Sequence, residues 1–166
     1  MDDEPPVIVG INWLAEHLDS VRAIDVRDGW EYDGIGHIPG AVSMPFERFR
    51  SAAHEDVGML PGVERFEELM GGIGVEPGQP IVAYDDEHGV FAARLLVTAL
   101  LYGHENVHLL DGDYTAWGRS YEISREEPSI TPTDYTVTLP EDRPLIDADG
   151  VLTAVDDPNA VLLDTR

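Results

Sequence analysis

The chain has 166 residues, no cysteine, and 33 Asp+Glu against 10 Lys+Arg, a net charge of −23. Its cations are all arginine; lysine is absent. Such a field repels phosphate backbones and anionic bilayers, so neither nucleic acid nor a membrane is expected as a partner. The missing thiol rules out disulfides, thiolate metal sites and a cysteine nucleophile within these residues.

An apolar share of 43% can fill a core, and the length suits one domain with something left over. No run approaches the roughly 18 apolar residues of a membrane helix. Met1-Asp2-Asp3-Glu4-Pro5-Pro6 lacks the apolar stretch of a secretory signal and the charge of a transit peptide, so a cytoplasmic protein is expected. An acidic, lysine-free surface suits a high-salt cytoplasm, where the Debye length falls to about 3 Å at 1 M, and a halophilic source is expected.

In chain order, Asn12 is placed to cap a short helix over Trp13–Leu18. Val21–Val26 reads as a buried strand. Arg27–Gly36 is polar, with Trp30 and Tyr32 as its anchors, and Ile38-Pro39-Gly40 marks a turn before a short strand, Ala41–Met44. Pro61 suits the first turn of a helix presenting Val63, Phe66, Leu69 and Met70, ended by Gly71-Gly72 and Gly74. Pro80–Tyr84 is a third strand and Asp85–Gly89 a compact polar loop. Val90–Tyr102 is a long apolar helix with Gly103 just past its end. Asn106–Leu110 is a fourth strand, and Asp113 opens a short helix ending at Trp117-Gly118. Strands alternating with helices predict an α/β fold, a mainly parallel central sheet flanked by helices on both faces. Past Gly118 the chain turns polar, and Tyr135–Leu139 alternates as an exposed strand.

An internal repeat is visible. Ile11–Leu18 followed by Ala23-Ile24-Asp25-Val26-Arg27 is echoed by Asp149–Val155 followed by Val161-Leu162-Leu163-Asp164-Thr165-Arg166. Each is a short amphipathic helix, a turn, and an apolar strand ending Asp-x-Arg. The expected organisation is a first domain over 1–118, a linker or strap over 119–142, and the opening of a second, truncated copy over 143–166.

Three segments together resemble the rhodanese-like family, specifically the N-terminal half of a tandem thiosulfate/3-mercaptopyruvate sulfurtransferase. They are Ile24-Asp25-Val26-Arg27 with Glu31-Tyr32 and Gly36-His37-Ile38-Pro39-Gly40-Ala41; Ile81–Asp86 through Phe91-Ala92-Ala93-Arg94; and Gly103–Val107 with Leu109–Asp113 and Trp117. The resemblance covers about residues 8–118. Active domains of that family carry a cysteine at the end of the third strand. The loop after it turns backbone N–H groups, and a helix begins behind it, so a thiolate or persulfide is favoured there. The cysteine takes sulfur from a donor such as thiosulfate and passes it to a thiophilic acceptor. Here the matching position is Asp85, which cannot form an S–S bond. The resemblance implies a non-catalytic repeat with no cofactor. Its partners would be a second rhodanese-like domain bearing the cysteine and, in the full-length protein, a small-molecule sulfur donor and acceptor.

On that basis Asp25, Arg27, His37, Asp86, Gly89 and Arg94 are the expected pocket- and loop-shaping residues. Asp25 and Arg27 could pair with each other, or Arg27 with Glu31. His37, beside a Pro-Gly turn, is expected to fix a loop. Arg94, one helical turn past the Asp85 loop, would face an anionic substrate or pair with a carboxylate. Asp85-Asp86-Glu87-His88 is rich in hard ligands but contiguous on one loop, without alternating ligand spacing, so no metal site is expected. The principal alternative is an inactive rhodanese-like binding or regulatory module. A phosphatase-like reading on Asp85-Asp86 lacks a lysine for phosphate.

Overall fold

The computed structural model describes residues 6–50 and 60–164. Five strands form one all-parallel sheet: β1 (Ile8–Gly10), β2 (Arg22–Asp25), β3 (Val42–Ser43), β4 (Ile81–Tyr84) and β5 (Val107–Asp111). They lie side by side in the order β1-β5-β4-β2-β3. The expected α/β class is therefore observed. β4 is central and buried at every position, as its uninterrupted Ile-Val-Ala-Tyr run requires of a strand covered on both faces.

The helices are α1 (Ile11–His17), α2 (Gly29–Gly34), α3 (Val63–Gly72), α4 (Val90–Leu101), α5 (Asp113–Ser120) and α6 (Ala148–Val155). Strand alternation splits the core in two. Ile24, Ile81, Ala83 and Val107 point to one side, into a cluster with Phe66 and Met70 of α3 and Leu95 and Ala99 of α4. Ala23, Val82, Tyr84 and Leu110 point to the other, against Leu14 of α1 and Tyr114 and Trp117 of α5. Each fully buried large side chain contributes roughly 1.5–3 kcal/mol of transfer energy.

Several expectations are corrected. Gly10, not Asn12, caps α1, and Asn12 instead accepts a hydrogen bond from the Tyr121 hydroxyl at 2.8 Å. β1 escaped detection because three residues at a sheet edge carry too short a pattern. Arg27–Gly36 contains a helix, opened by an Asp28/Glu31 capping box. Tyr32 anchors it in the core, whereas Trp30 is 65% exposed and its indole N–H donates only to Asp28 beside it. Tyr135–Leu139 forms no strand; Tyr135 is buried in the α3/α4 core instead. In the tail α6 is present, with Asp147 capping it through the Gly150 N–H at 2.8 Å. Val161–Asp164 is neither strand nor buried, since no sheet edge receives it; Thr165 and Arg166 lie outside the described residues.

Candidate functional site

Parallel sheets present their loops at the carboxyl ends of the strands, and here the ends of β2 and β4 and the start of α4 converge. Asp85 directly follows β4 and is 1% exposed. Its Oδ1 accepts the N–H groups of Glu87 (3.0 Å) and Gly89 (2.8 Å). Its Oδ2 accepts those of Phe91 (2.8 Å) and Ala92 (2.9 Å) in the first turn of α4. The loop reaches this shape through His88 at φ 58° and Gly89 at φ 84°, both left-handed, which bend the chain so that these N–H groups converge on the carboxylate. The Asp85 carbonyl in turn accepts the Tyr114 N–H at 2.8 Å, tying the loop to α5.

Beside it, Asp25 and Arg27 form an ion pair with both side chains fully buried. Arg27 Nη2 lies 2.6 Å from Asp25 Oδ2 and Nε 3.0 Å from Oδ1. The guanidinium also donates to the Gly36 carbonyl at 2.8 Å and stacks 3.7 Å from the Tyr114 ring centroid. Burial alone would lower the guanidinium's pKa, but the hydrogen bond and charge of Asp25 outweigh it, and the pKa is raised. Asp25 is completed by the Tyr84 hydroxyl at 2.8 Å, which itself accepts the Ile38 N–H at 3.2 Å. Arg27 thus chooses Asp25 over Glu31. His37 is buried, donates from Nδ1 to the Ile38 carbonyl at 3.0 Å, and stacks on Tyr32 at 3.9 Å. It fixes the His-Ile-Pro-Gly turn.

Over these residues lies a cleft of about 450 Å³, with Trp30, Phe46 and Phe91 among its walls and Glu31, Asp86 and Glu87 among its acids. Burial, then a hydrogen bond with Asp86 and its charge, raise the Glu31 carboxyl above its ordinary value. Arg27, the cationic residue of the lining, is paired with Asp25, and the other charged residues of the lining are acidic. No group among the described residues of this cleft is a sulfur nucleophile. The described residues hold no cluster of three or more His, Asp or Glu arranged for a metal ion.

Asp25, Arg27, His37, Asp86 and Gly89 are therefore brought to one end of the sheet. Arg94 is not: it lines a separate groove with Leu60, Val97, Leu101, Leu145 and Ile146. Tyr84 and Tyr114 escaped the sequence reading. Tyr84 had a signal, a polar-tipped ring ending a buried strand; Tyr114 had none, since its role depends on α5 folding back over β2.

Residues 11–120 match the rhodanese-like domain. A putative thiosulfate sulfurtransferase of Haloferax volcanii is 31% identical over 159 residues, covering 90% of this chain and 54% of that protein. A 3-mercaptopyruvate sulfurtransferase of Escherichia coli is 28% identical over 169 residues, covering 95% and 60%. The crystal structure of SseA from Escherichia coli, a 3-mercaptopyruvate sulfotransferase, superposes with a TM-score of 0.80 at 25% identity, over 92% of this chain and 63% of that one. The chain spans about half the length of the curated relatives it matches. With this sheet order, this loop and this match over most of its length, the chain belongs to the rhodanese-like domain family.

Proposed function

We propose that this chain is the N-terminal, non-catalytic part of a thiosulfate/3-mercaptopyruvate-type sulfurtransferase, whose sulfur-carrying cysteine belongs to a second rhodanese-like domain outside these 166 residues. The observation that carries the reading is the Asp85 carboxylate held by four backbone N–H groups. A cradle of that form suits a thiolate or persulfide, and a built-in oxygen anion fills it. An oxygen acid has no low-lying S–S chemistry, so the loop keeps its shape and gives up group transfer.

The names of the relatives support the sulfurtransferase kind, and their greater length leaves room for a second domain. The echo of Ile11–Arg27 in the tail supports a second copy beginning near residue 143. In the full protein, sulfur would pass from a thiosulfate- or mercaptopyruvate-like donor to a thiophilic acceptor at that second site. This half would supply Asp25, Arg27, His37, Asp86 and Gly89 as the supports of its own loops. The acidic, lysine-free surface, and the haloarchaeal relative, support a high-salt cytoplasm as the setting.

The test is thiocyanate formation from thiosulfate and cyanide. The purified 166-residue chain is expected to give none above buffer, and turnover would overturn the reading. A longer native chain with a cysteine at the matching loop should turn over. A native chain that lacks one would favour the inactive binding module.

A further inference from the structure

The matched family region ends at residue 120, yet the polar stretch after it does not leave the domain. Ser124 pairs with His37 as an antiparallel bridge, with 2.8 Å hydrogen bonds in both directions. Further along, the Thr133 N–H donates to the Gly71 carbonyl at 3.0 Å, and the Val137 N–H to Glu67 Oε1 at 2.8 Å. Two glycines make room for this path. A Cβ on Gly71 would sit 2.5 Å from the Thr133 carbonyl oxygen, and one on Gly103, at φ +83°, would run into the carbonyl of Thr138. Between them Tyr135 is 6% exposed and meets the Phe66 ring edge-on at 6.1 Å.

The Tyr135 hydroxyl ends on a buried histidine. His104 is 1% exposed; its Nε2 is 2.9 Å from the Gln79 carbonyl and its Nδ1 3.0 Å from Tyr135 Oη. A carbonyl oxygen only accepts, so Nε2 carries the proton and Nδ1 accepts from the Tyr135 hydroxyl. This arrangement needs the neutral imidazole. A second proton on Nδ1 turns that acceptor into a donor, so the Tyr135 hydroxyl must swing its own hydrogen away, and among the described residues it has no other acceptor.

We infer that residues 121–140 are a strap belonging to the same folding unit as the sheet, latched by Tyr135 on neutral His104 and released when His104 is protonated. Burial lowers the His104 pKa, against smaller upward contributions from backbone groups of Gln79 and Asn106, consistent with a latch closed at neutral pH. The groups facing the latch are the Gln79 carbonyl from the turn before β4, Tyr135 from the strap, and Glu67 of α3 behind Tyr135. Glu105, the next residue along the chain, is exposed. Glu67 also holds the strap through Val137, so its titration is the competing explanation, and a non-titrating latch separates the two.

The inference stands apart from the sulfurtransferase reading, because it needs only this chain. Hydrogen exchange on the full chain at fixed high salt tests it. At about pH 7.5 the Thr133 and Val137 amides should be protected. At about pH 5 their protection should fall while β4 amides stay protected, because the lowered His104 pKa makes the open strap the better proton acceptor. In His104→Gln, whose amide can donate to Gln79 and accept from Tyr135 at any pH, the fall should vanish. Unprotected strap amides at neutral pH would overturn the inference, as would strap and β4 losing protection together, or the same fall in His104→Gln. Should that variant not fold, the wild-type comparison of strap with β4 still decides whether the strap opens separately, and Glu67→Gln retaining the fall assigns it to His104; loss of the fall there would overturn the latch.

Discussion

At the level of single residues, position 85 concentrates the most consequence. Four N–H groups that a helix start and its loop would otherwise offer to water are turned inward onto one carboxylate. Removing it leaves buried donors unsatisfied, at about 1–3 kcal/mol each where no water enters. Asp85→Ala is therefore expected to lose about 3 kcal/mol or more of unfolding free energy in urea titrations. Asp85→Asn should recover little of it, because its NH2 would face two of the four donors. Asp85→Cys is the informative exchange. Its thiol should ionise below the ordinary value of about 8.5, read as the pH dependence of iodoacetamide alkylation. An ordinary or raised value would mean that the four amides do not converge on the side chain's terminal atom.

The elements place the second feature, the Asp25–Arg27 pair at the end of β2. Neither group could be buried alone, and Tyr84, Tyr114 and the Gly36 carbonyl complete their shells. Breaking a buried pair typically costs about 3–5 kcal/mol, whereas replacing both partners by packed neutral groups is often near neutral. Arg27→Met alone should thus be severely destabilising, and Asp25→Asn combined with Arg27→Met should recover much of the loss. A chemical-denaturation cycle measures the coupling; additive effects would show that the pair holds nothing together. The strap obeys the same logic with a titratable partner. Its histidine has a depressed folded-state pKa, so its contribution is present above the unfolded value of about 6.5 and is lost as pH falls through the folded one.

For the whole molecule, the governing quantity is a net charge of −23 on 166 residues. Self-repulsion of that shell opposes compaction, and salt screens it over a Debye length that shrinks from about 10 Å at 0.1 M to about 3 Å at 1 M. Stability is expected to rise with KCl across that range, with each 1 kcal/mol gained moving Tm by about 2–4 °C. Calorimetry at several salt concentrations checks this, and a flat or falling Tm would show that the shell does not limit stability. The tail adds the other molecular-scale feature. α6 buries none of its residues, and Leu152, Val161 and Leu163 are 70–82% exposed. Apolar side chains in that state rest on no part of the described fold.

Much of this was legible in the residues themselves. Short apolar runs bounded by turn residues, such as Ile81–Tyr84, read as strands covered on both faces, and their alternation with amphipathic segments pointed to a parallel sheet. The ordered set of short motifs announced the family, and the absence of cysteine excluded a cysteine nucleophile within residues 1–166. Tertiary structure decided what depends on distant groups meeting. It chose Asp25 rather than Glu31 for Arg27, set Tyr114 over the guanidinium, sent Arg94 to another face, left Trp30 in solvent, and drew Tyr135 out of an apparent strand into the core. The reason is physical: local patterns report which face of an element is apolar, whereas a hydrogen bond or ion pair between residues far apart in the chain is selected only when the packed sheet brings one partner within reach and excludes water from the rest.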